Sequence, residues 1–185
     1  ALPARAHGIE TLRAAVIAAH LFDKMIPGAP PECRPEILRE RAVRRVGAVL
    51  DGPHDAPECD AACAAALLAD VGLVALLHAD PVSWLRAAAH AREKGLPLDE
   101  AERLVLGIDH GEAAAVTLGG WGLPFVVLEA IAYHHRPGLV TEGDRSVLAA
   151  VHRADHAVGG DAAAELDQAF LRDVEGAAVA ETAGG

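Results

Sequence analysis

The stretch ECDAACAAALLADVGLVALL, residues 58–77, constrains the fold more than any other part of the chain. Alanine and leucine are strong helix formers, and a helix that is apolar on most sides must be surrounded by other helices. Hydrophobic residues make up 52% of the 185-residue chain and aromatic residues only 3%, which favours packed helices over a sheet. We therefore expect an all-α fold with this stretch at its centre, interrupted at Asp70 and Gly72.

Hydrophobic spacing and helix-breaking residues predict one globular bundle of seven to nine helices. We expect a single domain over residues 1–160, followed by a tail, residues 161–185, that holds one short helix. The predicted helices begin near residues 9, 35, 58, 73, 81, 99, 110, 124 and 144.

Capping residues define several helix ends. Asp80 before Pro81 is a typical N-cap, and Asp109 and Glu112 have the spacing of a capping box. Asp99 is the predicted N-cap of the helix that lies between these two.

The formal charge of −11 excludes some classes of partner. With 27 acidic against 16 basic residues, the protein repels phosphate backbones and anionic lipid surfaces, so we expect no nucleic acid and no membrane as partners. No uninterrupted apolar run reaches the length needed to cross a bilayer, and the N-terminus lacks the basic-then-apolar pattern of a signal peptide. We therefore expect a cytoplasmic protein.

The three cysteines, Cys33, Cys59 and Cys63, are expected to be reduced, because the count is odd and the chain is large enough to fold without disulfides. Cys59 and Cys63 share a helix face, so a zinc site with His54 is one interpretation. Buried or incidental thiols are the alternative, and the absence of a second ligand pair favours it.

Five polar residues lie beside apolar residues at the ends or on the faces of the predicted helices, with long gaps in sequence between most of them. Imidazole and carboxylate groups are the ligands that zinc, manganese or iron uses without thiolates, and a helical bundle can gather them in its core. The residues are Asp70, His110, His134, His135 and Asp155.

Each of these residues also has a purely structural interpretation. His110 at a helix start can be solvated, and imidazoles near a helix C-terminus, as at His134 and His135, are favoured by the helix dipole. Adjacent helical residues point about 100° apart, so both histidines reach one site only if the helix ends there. Asp155 could pair with Arg153 or cap a turn.

Three segments resemble the HDOD family, the HD-related output domains of bacterial signalling proteins. They are LLADVGLVALL, GLPLDEAERLVLGIDHGEAAAVTLGGWGLPFVVLEAIAYHHRP and VLAAVHRADHAV. The second is the most specific, because Leu-Gly-x-Asp-His, Trp-Gly-Leu-Pro and Ile-x-Tyr-His-His follow in one register. The resemblance covers most of residues 8–158 and extends to GIETLRAAVIAAHLFD near the start. It also implies that further N-terminal helices of the family are missing here.

The resemblance implies an HD-like all-α bundle whose active relatives are metal-dependent phosphohydrolases. Their metal site uses an early histidine, a His-Asp doublet, later histidines and a final aspartate. By position these fall on Arg41, on Ala69 and Asp70, on His110, His134 and His135, and on Asp155.

Two of these positions therefore lack a metal ligand. Ala69 has no donor, and Arg41 would place a permanent cation where a dication must sit. We expect no cofactor, or at most a divalent metal held weakly by the five remaining ligands. One hypothesis is that Arg41, or its neighbours Arg44 and Arg45, pairs with the two aspartates of the pocket. The alternative, which an exposed charge run favours, is a solvated helix face.

The leading functional interpretation is a non-catalytic signalling output module that acts through protein contacts or through a small ligand in the degenerate pocket. Its expected partners are signalling proteins, including a receiver domain upstream in a longer parent chain, and a second copy in a homodimer. The alternatives are a metal-dependent phosphohydrolase acting on a nucleotide or cyclic dinucleotide, and a dimerisation domain without a ligand.

Overall fold

The computed structural model describes residues 8–22, 30, 34–52, 56–159 and 165–183. The described residues form ten α-helices and no strand, which confirms the all-α prediction. The helices are α1 (Ile9–Phe22), α2 (Pro35–Leu50), α3 (Ala56–Leu68), α4 (Val71–Ala79), α5 (Pro81–Lys94), α6 (Leu98–Leu106), α7 (His110–Leu118), α8 (Phe125–Tyr133), α9 (Ser146–Ala157) and α10 (Gln168–Ala183). Short 3₁₀ turns follow α7 at Gly119–Trp121 and α8 at Pro137–Leu139.

Helix α3 lies at the centre of the bundle, as its composition predicts. It packs against α1, α2, α8 and α9, while α4 packs against α7. Residues 62–66 of α3 are all buried, because alanine side chains let neighbouring helices approach closely from every side. The chain turns at Ala69 and Asp70, where the sequence predicts a break, and both residues are fully buried.

The stretch Glu58–Ala79, across α3 and α4, is long and apolar enough to cross a membrane by length and composition alone. Asp60 and Asp70 interrupt the stretch, so it does not contradict the prediction that no uninterrupted apolar run reaches this length. In this structure 78% of its most apolar window is buried inside the protein, so the stretch forms the core of the bundle.

Two glycines allow helix backbones to touch beside Asp70. A Cβ atom on Gly72 would lie 1.7 Å from the carbonyl oxygen of His110, so α4 and α7 meet backbone to backbone. A Cβ atom on Gly111 would lie 2.8 Å from the carbonyl oxygen of Ile131 on α8. These contacts bring His110 close to the Asp70 turn and to the end of α8.

Local capping confirms most of the predicted helix ends. The Asp80 side chain accepts a hydrogen bond from the Ser83 amide at 3.0 Å, directly before α5. At the start of α7 both bonds of the predicted capping box, between Asp109 and Glu112, are present.

The predicted N-cap at Asp99 is wrong. Helix α6 begins at Leu98, one residue earlier, with Pro97 in the N-cap position. Asp99 is buried in the first turn, where its carboxylate accepts a hydrogen bond from Arg103 at 2.8 Å. The reason is the i, i+4 spacing of these two residues, which pairs their charges on one helix face.

Other predictions lie partly outside the described residues. The predicted first helix extends to residue 26, but the described part of α1 ends at Phe22, and Cys33 and His54 are not described. Cys63 is buried and Cys59 half-buried, and among the described residues neither belongs to a group of three candidate metal ligands. In the tail, α10 is 16 residues long rather than a short helix.

Candidate functional site

A buried polar cluster forms where α2, the turn between α3 and α4, α7, the end of α8, and α9 meet. It contains the residues that the sequence analysis assigned to the pocket, together with Arg45, which was named as one of three arginines that could pair with the aspartates, and Glu102, which was not predicted. The predicted members are Arg41, Ala69, Asp70, His110, His134, His135 and Asp155, and the structure adds Arg45 at the centre and Glu102 at one edge.

Arg45 joins the two aspartates of the cluster. Its guanidinium donates from Nε to Asp155 Oδ1 at 2.8 Å and from NH2 to Asp70 Oδ2 at 3.2 Å. The remaining nitrogen, NH1, donates to the carbonyl oxygen of Ala66 at 3.1 Å, and the side chain is fully buried. Arg45 therefore ties α2 to α3, to the Asp70 turn and to α9.

The other arginines of α2 have different positions. Arg41, one turn before Arg45, donates from NH2 to Asp70 Oδ1 at 3.3 Å, and its side chain is 19% exposed. Arg44 is exposed. The predicted pairing of Asp155 with Arg153 does not occur, because Arg153 pairs with Glu175 instead.

The arginines determine the charge state of both aspartates. Burial by itself raises the pKa of Asp70, but the coulombic attraction of Arg41 and Arg45 outweighs it and holds that pKa well below its ordinary value. Burial also raises the pKa of Asp155, but the surrounding groups, Arg45 first among them, together hold it below its ordinary value. Burial lowers the pKa of Arg45, but the two carboxylates together raise it by more. All three groups are therefore charged at neutral pH.

Glu102 is a member of the cluster that sequence reasoning missed. This buried carboxylate on α6 accepts from the indole nitrogen of Trp84 at 2.9 Å and from both the backbone amide and Nδ1 of His110, at 2.8 and 2.6 Å. Burial lowers the pKa of His110, but the charge and hydrogen bond of Glu102, together with the charges of Asp70 and Asp109, outweigh it and raise that pKa to about 9. His110 is therefore an imidazolium at neutral pH, with a proton on each ring nitrogen.

His135 accepts the second proton of His110. The two Nε2 atoms lie 2.8 Å apart, so His110 donates and His135 is the neutral acceptor. Burial and the charge of His110 lower the pKa of His135 to about 3. Its Nδ1 faces Asp155 Oδ2 at 3.8 Å, which is too long for a hydrogen bond.

His134 completes the group of imidazoles. Helix α8 ends at Tyr133, which lets His134 and His135 approach one place, with ring centroids 3.9 Å apart. His134 Nδ1 donates to the carbonyl oxygen of Ile131 at 2.7 Å. Burial, helped by the neighbouring histidines, lowers the pKa of His134 well below its ordinary value, and its Nε2 is buried without a partner.

The charges of the cluster cancel. Three cationic side chains face three carboxylates in a region from which water is largely excluded, and a buried charge is tolerated only when it is paired in this way. The cations are Arg41, Arg45 and His110, and the carboxylates are Asp70, Glu102 and Asp155.

The donor groups do not fit a divalent metal as they are arranged. The candidate ligand atoms of His110, His134 and His135 all lie within 4.8 Å of one another. However, both nitrogens of His110 carry protons, the lone pair of His135 accepts one of them, and both aspartates are held by Arg45. Among the three imidazoles, only the Nε2 of His134 has a lone pair without a hydrogen-bond partner, whereas a catalytic zinc site uses three protein ligands.

The sequence profile of the HDOD domain matches residues 8–137 of the chain. No curated protein matches it significantly. Among solved structures, an HDOD domain protein of unknown function from Geobacter sulfurreducens aligns with a TM-score of 0.66 at 20% identity, over 86% of this chain and 54% of that one.

A second solved structure, from Shewanella amazonensis SB2B and described as a candidate phosphohydrolase, aligns with a TM-score of 0.61 at 17% identity. The match covers 89% of this chain and 61% of that one, so the chain spans less than two thirds of either structure. At these identities the two structures support the fold alone. The profile match covers well over half of the sequence, and the chain therefore belongs to the HDOD domain family.

Proposed function

We propose that this HDOD domain is a non-catalytic signal-transduction module, which acts through protein contacts or through a small ligand in a degenerate HD pocket. The observation that carries the proposal is the position of Arg45. Its guanidinium holds both Asp70 and Asp155, the two carboxylates that the family resemblance assigns to a metal site.

The chemistry of phosphate-ester hydrolysis supports this proposal. Attack on phosphorus at neutral pH needs an activated water, which HD hydrolases obtain from a bound metal ion. A guanidinium supplies positive charge, but it has no open coordination position for a water molecule. In addition, Arg45, Asp70 and His134 are fully buried, so a substrate has no direct access to them.

The second candidate function is a metal-dependent phosphohydrolase acting on a nucleotide or cyclic dinucleotide. One observation favours it, namely the three imidazoles whose candidate ligand atoms lie within 4.8 Å, one of which has an unpartnered Nε2. For this function Arg45 would have to leave both aspartates, and His110 would have to lose a proton that Glu102 stabilises.

A hydrolysis assay separates the two proposals. Protein purified without chelators is incubated with Mg²⁺, Mn²⁺ or Zn²⁺ and with nucleotides and cyclic dinucleotides, beside a His110→Ala variant. We expect no turnover by the wild type above that of the variant. Turnover that depends on added metal and disappears in His110→Ala would overturn the proposal in favour of the hydrolase.

Location and partners are further parts of the proposal. We place the module in the cytoplasm with signalling proteins as partners, supported by the acidic net charge of −11, which disfavours nucleic acid and anionic lipid surfaces. A receiver domain in a longer parent chain and a homodimer stay predictions. Light scattering over a concentration series tests the homodimer, and the sequence of the parent gene tests the receiver domain.

A further inference from the structure

Helix α10 is fastened to the bundle at its first turn. It packs mainly against α9 and the Pro137–Leu139 turn. Phe170 and Leu171 are its buried residues among the described side chains, and those of residues 172–177 are exposed or half-buried. Asp167 caps the helix by accepting a hydrogen bond from the Phe170 amide at 2.9 Å. The rest of the helix lies over the surface.

Two surface ion pairs connect α10 to α9. Arg145 pairs with Asp173 at 2.6 Å, and Arg153 pairs with Glu175. The two acidic side chains are 66% and 64% exposed, and ion pairs at such exposure contribute little to stability. The docking of α10 therefore rests mainly on Phe170 and Leu171 in its first turn, with the half-buried Val174 one turn later. Because so few buried contacts hold it, we expect α10 to open before the bundle unfolds.

A single imidazole connects that first turn to the polar cluster. His152 on α9 is buried, and its Nε2 accepts a hydrogen bond from the backbone amide of Asp167 at 2.9 Å. Its Nδ1 donates to the carbonyl oxygen of His134 at 2.7 Å. The same ring lies edge-on to Phe170, with centroids 6.5 Å apart. One neutral tautomer, with the proton on Nδ1, satisfies both hydrogen bonds.

Helix α9 thus carries two connections one turn apart. Asp155 holds Arg45 in the cluster, and His152, three residues earlier, holds the start of α10 and the backbone of His134. A shift of α9 or of the His134 turn changes both connections together, because packed helices move as rigid elements.

We propose that α10 is a displaceable helix whose docking is coupled to the ion pairing of the polar cluster, so that a change in the cluster alters the surface of the protein. His152 is the positioning residue that couples the two. The proposal rests on the signalling function proposed above and names its output element. When α10 is docked, it stabilises the Arg45 centre. By thermodynamic reciprocity, weakening that centre must favour release of α10.

Amide hydrogen exchange measured by mass spectrometry tests this coupling in both directions. Phe170→Ala removes the main buried anchor of α10, and Arg172→Ala, an exposed position on the same helix, is the matched control. We expect Phe170→Ala to accelerate exchange in α10 and also in residues 131–139 and in α9, while the control changes neither. In the opposite direction, Arg45→Lys keeps the charge but loses the forked hydrogen bonds, which go to Asp155, Asp70 and Ala66. Exchange in α10 should nevertheless rise about tenfold.

Exchange confined to the mutated region in both variants, with α10 unchanged in Arg45→Lys, would overturn the proposal. A third variant, His152→Leu, removes both hydrogen bonds of the link, and in that background Phe170→Ala should no longer affect residues 131–139. If His152→Leu does not fold, the exchange measured in Phe170→Ala and in Arg45→Lys still shows whether α10 and the cluster are coupled. Because the assay needs no substrate or metal, its outcome is independent of the hydrolysis test.

Discussion

Replacement of Arg45 by methionine is the most informative perturbation of the cluster. Methionine has a similar length and fills the apolar part of the site, but it leaves Asp155 without its guanidinium and Asp70 with Arg41 alone. Removing one partner from a fully buried ion network typically costs about 3–5 kcal/mol, because a charge stays buried without compensation. We expect Arg45→Met to lower the free energy of unfolding by about this amount at pH 7, as measured by urea denaturation.

The loss should depend on pH in a defined direction. In the wild type both aspartates have a pKa below the ordinary value of 3.8, so their contribution to stability is present above pH 3.8 and disappears as pH falls below it. In Arg45→Met, burial without the cation raises the pKa of Asp155 above 3.8. The destabilisation should therefore shrink as the pH falls from 7 toward 4, because the buried carboxyl becomes neutral.

Two controls make the result specific. Arg44→Met changes an exposed arginine on the same helix, and we expect it to change stability by less than about 0.5 kcal/mol. The double variant Arg45→Met with Asp155→Asn removes one charge of each sign and should recover at least part of the loss. An Arg45→Met protein as stable as Arg44→Met at pH 7 would refute the interpretation of a buried charge network.

Two further variants test the surroundings of the cluster, and a third, Gly47→Ala, is the control for one of them. Glu102→Gln should lower the pKa of His110 from about 9 toward its ordinary 6.5, as followed by NMR of the imidazole. A histidine with a raised pKa contributes stability that is fully present below pH 6.5 and is lost as the pH rises through 9. Urea denaturation should therefore show a free energy of unfolding that declines over this pH range in the wild type but not in the variant. Gly72→Ala should lower the free energy of unfolding by roughly 1–3 kcal/mol or more, because its methyl group would overlap the carbonyl oxygen of His110. Gly47→Ala, in the last turn of α2, where a Cβ atom meets nothing within 4 Å, should instead stabilise by about 0.5–1 kcal/mol. Equal melting temperatures for the two alanine variants would contradict the close approach of α4 and α7.

Helix ends were predictable where the signal is local. The capping box of Asp109 and Glu112 lies within four residues, so its geometry follows from the spacing alone. At Asp99 the same reasoning failed, because a buried pairing with Arg103 competes with capping and Pro97 already occupies the N-cap position.

The centre of the cluster was only partly predictable. The family resemblance placed the early ligand position on Arg41, whereas Arg45 makes the central contacts. One signal in α2 pointed to Arg45, because it lies on the same face as the buried Leu38, Ala42 and Val49, whereas Arg44 does not.

Glu102 had no comparable local signal. It joins the cluster because α6 packs against α5 and places the carboxylate between Trp84 and His110. Such tertiary placement is not visible in hydrophobic periodicity.

The metal content of the purified protein tests the central claim most directly. The chain is purified without chelators, and its metal is counted by mass spectrometry before and after titration with Mn²⁺ and Zn²⁺, with Arg45→Met as the comparison. Since Arg45 occupies both aspartates and Glu102 keeps His110 protonated, we expect no stoichiometric metal in the wild type. One tightly bound metal ion per wild-type chain, lost on His110→Ala, would show that the cluster is a metal centre and contradict the account.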